Sequence, residues 1–82
     1  MKSVNEIIFE IGKILQDART NYPPANIFSN APLALIQTSL ESRLLAFMWM
    51  IEGDEDPEIK RVFNGCEAVI KMWKIAKDHN AN

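Results

Sequence analysis

The sequence predicts an all-α fold: a single domain, residues 1–82, arranged as a three-helix bundle that self-associates. Three segments repeat apolar residues every three or four positions, and none alternates apolar and polar residues as a half-buried strand does. A chain of 82 residues is long enough for one small core. With 48% hydrophobic and 24% charged residues, the composition is that of a folded protein rather than a disordered one.

The first predicted helix spans residues 4–19. Ser3 is placed to cap its N-terminus, and Glu6, three residues later, completes a capping box. Seven apolar residues then share one narrow stripe: Val4, Ile7, Ile8, Ile11, Ile14, Leu15 and Ala18. Phe9 lies on the opposite, otherwise polar side of this helix, about 160° from Ile11.

Residues 20–30 form the only long connection. Pro23 and Pro24 lack a backbone N–H and push the residues before them towards extended geometry, so the first helix cannot continue through them. Three side chains of this connection are large and apolar: Tyr22, Ile27 and Phe28. We expect these three to hold the connection against the helices.

The second predicted helix spans residues 31–52. Ser29 or Asn30 caps its N-terminus, and it ends at Gly53, the residue type best suited to a left-handed C-terminal cap. A short acidic turn follows and leads to Asp56, which is placed to cap a third helix. Because this link is so short, the second and third helices are predicted to form an antiparallel hairpin.

The third predicted helix spans residues 57–77, with Pro57 at its first position and fraying beyond its end. Gly65 lies inside it, as Gly12 lies inside the first helix. Glycine within a helix costs about 1 kcal/mol relative to alanine. Both positions therefore indicate close approach by a neighbouring backbone.

The second helix carries apolar side chains on two opposite sides. Its core stripe consists of Leu33, Ile36, Leu40, Leu44, Phe47 and Ile51. Trp49 projects about 180° from Leu40, and Leu45 and Leu35 flank it at about 140° and −140°. A monomer of three helices would leave this second side in water, so we expect self-association through it.

The predicted interface consists of Phe9, Leu35, Leu45, Met48, Trp49 and Met50. Large aromatic side chains bury about 150–250 Å² each, so their exposure in a small monomer would be costly. The alternative is that Trp49 covers the long connection of its own chain, which leaves no surface for a second copy.

Three polar residues, Gln37, Glu41 and Arg43, interrupt the second helix close to its core stripe. Polar side chains at such positions set the register of helix packing or cap a neighbouring loop. In the alternative interpretation they line a pocket for a small molecule or nucleotide between the subunits of a ligand-binding homo-oligomer.

The sequence contains little that points to catalysis. His79, the single histidine, lies in the expected fraying tail, and Cys66, the single cysteine, falls on the core stripe of the third helix. The acidic residues around Gly53 lack the ligand spacing of a calcium loop. We therefore expect no enzyme activity, no cofactor and no metal site.

Charge and hydropathy point to a protein partner. The net charge is −2, from nine basic and eleven acidic side chains, so nucleic acid is not the expected partner, and a DNA-binding regulator is only a second alternative. No apolar run approaches the roughly 20 residues that span a bilayer, and no signal peptide is visible. We expect a cytoplasmic interaction module that binds itself and another protein, in the manner of a phage- or plasmid-type accessory or inhibitor factor.

Overall fold

A computed structural model describes residues 3–80 and contains, within that range, three α-helices and no strand. The helices are α1 (Val4–Gln16), α2 (Ala31–Ile51) and α3 (Pro57–Asn80), and a short 3-10 turn follows α1 at Ala18–Thr20. The predicted all-α class, with three helices, is confirmed.

Local capping groups define the helix ends. The hydroxyl of Ser3 accepts a hydrogen bond from the amide three residues later at 3.2 Å, and the side chain of Asn30 does the same for α2 at 3.4 Å. Asp56 accepts from the amide two residues later at 2.8 Å at the start of α3. Gly53 has a φ of 80°, the left-handed conformation that favours glycine. These caps were predicted, with Asn30 rather than Ser29 at α2.

The first helix is shorter than predicted and ends at Gln16 instead of residue 19. The reason is Asp17, whose carboxylate accepts hydrogen bonds from the backbone and the side chain of Arg19, at 2.9 Å and 2.7 Å. These hydrogen bonds lower the pKa of the Asp17 carboxyl to about 2. Thr20 then donates its hydroxyl proton to the carbonyl of Ile14 at 2.7 Å, so a side chain replaces the next turn of helix.

The third helix is longer than predicted and runs through Asn80. No glycine or proline follows Lys77, so the sequence holds no signal that would stop the helix there. The side chain of His79 lies outside the described residues. Lys77 forms an ion pair of 2.7 Å with Glu41, in the middle of α2, which shows that α3 runs back along α2 after the turn at Gly53.

All three helices contribute to one core. Its most deeply buried side chains are Ile11 from α1, Leu44 from α2 and Cys66 from α3. Around them lie Ile7, Ile14, Leu40, Met48 and Ile51. The second helix packs against both of the others.

The face that α2 turns inward is rotated from the predicted stripe by about 50°. Gln37 and Met48 are buried, whereas Ile36 and Phe47, which were predicted for the core, are only half-buried. Contact with two helices widens the buried arc of α2 towards α3. The sequence pattern alone identified the stripe but not its exact centre.

The prediction for Gly12 and Gly65 is wrong. A Cβ atom built at either position meets no heavy atom within 4 Å, so no neighbouring backbone approaches closely. Gly53 differs from them because its conformation, rather than the space around it, requires glycine.

The same substitution at two glycines is expected to have opposite effects. Gly53→Ala places a Cβ in the left-handed region and lowers the free energy of unfolding by about 1–2 kcal/mol. Gly65→Ala, in open space on a helix, raises it by up to about 1 kcal/mol. Urea denaturation followed by circular dichroism measures both. Destabilisation by Gly65→Ala would mean that a neighbour does occupy that position.

Candidate functional site

The strongest candidate site is the side of α2 that faces away from the core. Eight uncharged, exposed residues form it, and we call them the outer face of α2: Leu35, Thr38, Ser39, Ser42, Leu45, Ala46, Trp49 and Met50. Trp49 is 75% exposed although it is the largest side chain on the helix. The apolar residues of α2 surround its axis almost evenly, whereas those of α1 lie on one side. This distribution is typical of a helix with a partner on each side.

Charged residues stand only at the margins of the outer face. α2 contains two, Glu41 and Arg43, and each forms an ion pair with a neighbouring helix of the same chain. Glu41 lies 2.7 Å from Lys77 of α3, and Arg43 lies 3.7 Å from Glu10 of α1. The two pairs border an uncharged strip on either side.

The structure brings four of the six predicted interface residues onto this one face and separates the other two. Met48 is only 8% exposed, because the rotation of α2 places it in the core, so its assignment to an interface is wrong. Phe9 is exposed, but the ammonium of Lys13 lies 5.1 Å from its ring centroid. Glu10, the next residue, pairs with both Lys13 and Arg43, so charged groups adjoin Phe9.

Gln37 has a structural role. Its side-chain oxygen accepts from the backbone N–H of Ala25 at 2.8 Å. Its side-chain nitrogen donates to the carbonyls of Arg19 and Pro23, at 3.2 Å and 3.1 Å. Gln37 is 96% buried as a residue, and its amide uses three hydrogen bonds to hold the long connection on α2. None of Gln37, Glu41 and Arg43 is left without a partner in its own chain.

The apolar residues of the connection do not hold it in place, contrary to expectation. Tyr22 and Ile27 are about half exposed, and Phe28 is 95% exposed. The side chain of Asn26 accepts from the amide of Phe28 at 2.7 Å, which makes a tight turn with the phenyl ring pointing outward. Hydrogen bonds between its backbone and the side chain of Gln37 fix the connection instead, while Phe28 faces solvent.

A groove that sequence reasoning missed lies between the connection and the C-terminal half of α3. It has a volume of about 520 Å³ and is mostly apolar. Its lining consists of Thr20, Asn21, Tyr22, Pro23, Pro24, Val69, Met72, Trp73 and Ala76. Pro24 and Trp73 also line a smaller groove of about 240 Å³, which reaches Thr38 on the outer face of α2. Pro23 and Pro24 could have indicated this groove, because two consecutive prolines keep that part of the chain rigid and non-helical.

Cys66 and the acidic turn are the other side chains considered for chemistry from the sequence. Burial raises the pKa of the Cys66 thiol to about 11, so the thiolate is scarce at neutral pH. Within residues 3–80, no group of three or more histidine, cysteine or acidic side chains is arranged to hold a metal ion. Asp54 and Asp56 of the acidic turn accept backbone hydrogen bonds. Over the described part of the chain, no helix is both long and apolar enough to cross a membrane.

No protein-family model, curated protein or solved structure matches the chain. The candidate sites therefore rest on geometry and chemistry alone.

Removal of the buried amide is expected to destabilise the protein. Gln37→Met keeps the length of the side chain but leaves the N–H of Ala25 and two carbonyls without their partner, at a cost of about 1–3 kcal/mol in the free energy of unfolding. Gln16→Met, at an exposed position of α1, is the matched control and changes it by less than about 0.5 kcal/mol. Urea denaturation of both variants is the measurement. Equal stability of the two would show that Gln37 does not hold the connection.

Proposed function

We propose that this chain is a three-helix bundle that acts as a non-enzymatic, cytoplasmic interaction module. It self-associates through the outer face of α2 and presents its remaining surface to another protein. The single observation that carries the proposal is Trp49, a large aromatic side chain exposed on an uncharged helix face.

The composition of the outer face supports an interface. Protein interfaces have an apolar centre, depleted of charge and enriched in aromatic residues and methionine, with a polar rim. Trp49, Leu45 and Met50 supply the aromatic, aliphatic and methionine side chains of such a face, and the ion pairs of Glu41 and Arg43 lie at its two margins. A helix face that stays in water would instead carry charged side chains along its middle.

The energetics favour a covered face. Burying one tryptophan removes roughly 200 Å² from water, which is an upper limit of about 5 kcal/mol before ordering costs. Intramolecular burial is not available to Trp49, because it remains 75% exposed and does not cover the connection. A symmetric dimer is the commonest way to bury the same patch on two copies.

The groove beside Trp73 favours a second candidate function, the binding of a small apolar molecule. Its volume of about 520 Å³ lies within the range of small-molecule sites, and Tyr22 and Trp73 offer it aromatic side chains. This groove lies within one subunit, whereas the alternative drawn from the sequence was a ligand pocket between subunits, lined by Gln37, Glu41 and Arg43. Self-association does not require a ligand, so the two functions are separable.

Truncation of Trp49 is expected to weaken self-association without unfolding the chain. Truncation of an anchoring aromatic residue at an interface costs about 2 kcal/mol or more of binding free energy, which raises the dissociation constant about 30-fold. Trp49→Ala should therefore sediment as smaller species than the wild type at equal concentration. Phe28→Ala, which removes another exposed aromatic outside the outer face, is the control and should sediment as the wild type.

Circular dichroism establishes whether each variant keeps its helices. A wild type that stays monomeric at high micromolar concentration would refute self-association. Dissociation by Phe28→Ala rather than by Trp49→Ala would move the interface to the connection.

The groove is tested with the apolar dye anilinonaphthalene sulfonate. The dye should fluoresce on binding to the wild type, and Ala76→Phe, which fills the groove with a ring, should abolish that signal. Trp49→Ala alters a different surface and is the control, so it should keep the signal. An equal signal from Ala76→Phe and the wild type, with unchanged circular dichroism, would refute a binding groove at Trp73.

A further inference from the structure

The long connection between α1 and α2 is anchored at both of its ends. At the first end, Thr20 is buried, and its hydroxyl donates to the carbonyl of Ile14 at 2.7 Å. At the other end, Asn30 is the N-cap of α2. We call the residues between these anchors, 21–29, the strap. Its first half lies beside the C-terminal half of α3, where the two together line the larger groove.

Between its anchors, the strap is held by few interactions. Seven of its nine residues are exposed, and the other two, Pro24 and Ala25, are half-buried. Within the described part of the chain, two hydrogen bonds join residues 22–29 to a helix, and both end at the side chain of Gln37. The N–H of Ala25 donates to its oxygen at 2.8 Å, and the carbonyl of Pro23 accepts from its nitrogen at 3.1 Å. Segments with so few buried apolar contacts open at a lower free energy than the core.

Trp73 of α3 adjoins the strap and is the side chain that its opening would uncover. Trp73 is 6% exposed, yet it lies beside the central core rather than within it. Pro24 and Trp73 both line the larger groove and the smaller one. Movement of Pro24 away from α3 would therefore join the two grooves and expose the indole ring.

We propose that the strap opens and closes as a unit while the three helices stay packed, and that the larger groove exists only when the strap is closed. Five of the nine residues that line this groove, 20–24, come from Thr20 and the strap, and the other four come from α3. Opening therefore removes one wall of the groove. Pro23 and Pro24 fix their own backbone angles, so the middle of the strap moves as one stiff piece about its ends.

The strap controls what binds in the groove. A ligand there contacts the strap and α3 at the same time, so it binds the closed state and not the open one. Such a ligand shifts the equilibrium towards closure, whereas entry and release take place through the open state. This control rests on the small-molecule binding proposed above for the groove, but the opening itself does not.

Hydrogen exchange of the wild type, followed for single protons by NMR at low urea concentrations, tests the opening. The N–H of Ala25 should be protected at least about tenfold less than that of Leu44 in the core. Its protection should also depend less on urea, because lifting the strap exposes less surface than global unfolding does. The side-chain proton that Gln37 donates to Pro23 should report the same opening constant as Ala25.

Two outcomes would overturn the opening. Equal protection and equal urea dependence of Ala25 and Leu44 would mean that the strap opens only when the whole chain unfolds. A larger opening constant for Ala25 than for the Gln37 proton would mean that single hydrogen bonds break and the strap does not move as a unit.

Control of the groove is tested by repeating the exchange with anilinonaphthalene sulfonate at about ten times its dissociation constant. The dye should raise the protection of Ala25 about tenfold, because it stabilises the closed state by mass action. Ala76→Phe, which fills the groove, is the control and should show no such rise.

The dye separates failure of this control from failure of the groove itself. Dye that binds the wild type without changing the protection of Ala25 would overturn control by the strap. A wild type that binds no dye would overturn the small-molecule function together with that control, while the protection of Ala25 and Leu44 would still decide whether the strap opens.

Discussion

The side-chain amide of Gln37 is the interaction on which the rest of the structure depends. It bonds to backbone groups of Arg19, Pro23 and Ala25, so one residue of α2 orders most of the only long connection. Those bonds satisfy the polar groups of Gln37, so it can lie on the buried side of α2 together with Met48. With Gln37 and Met48 turned to the core, Trp49 is turned to solvent. The same hydrogen bonds hold Pro23 where it forms a wall of the groove beside Trp73.

The helices differ in how many partners their composition requires. Most apolar residues of α1 form one narrow stripe, whose members Ile7, Ile11 and Ile14 are buried, and the back of the helix is polar apart from Phe9. α2 is apolar nearly all round, yet the fold buries only the arc that faces α1 and α3. Both of its charged residues, Glu41 and Arg43, form ion pairs within the chain. What remains is an outer face without charge that exposes Leu35, Leu45, Trp49 and Met50 beside three hydroxyl side chains, and this face is the basis of the proposed self-association.

Local features were predictable from the sequence, and features that depend on packing were not. The caps at Ser3, Gly53 and Asp56 depend on hydrogen bonds or backbone angles within a few residues, so their positions follow from residue type. The end of α1 was missed because the apolar period runs on to Ala18, while Asp17 forms stronger local bonds outside a helix. The burial of Met48 was missed because periodicity defines a stripe but leaves its centre uncertain by about half a residue's rotation. The exposure of Trp49 was clear from the sequence, because Trp49 lies about 180° from Leu40 and an error of about 50° in the centre of the stripe still leaves it outside the core.

The two candidate surfaces meet, and their contact has a consequence for the assembly. The smaller groove reaches Thr38 of the outer face and is bordered there by Lys77, the partner of Glu41. A second copy on the outer face would cover that border, whereas the lining of the larger groove includes no residue of α2. A two-fold pair through α2 would therefore keep two equivalent larger grooves open. Two linked grooves bind a partner that carries two binding groups far more tightly than one groove does, because the second contact becomes intramolecular. In the proposed assembly, self-association would therefore be compatible with binding at the grooves, and the dimer would strengthen that binding rather than compete with it.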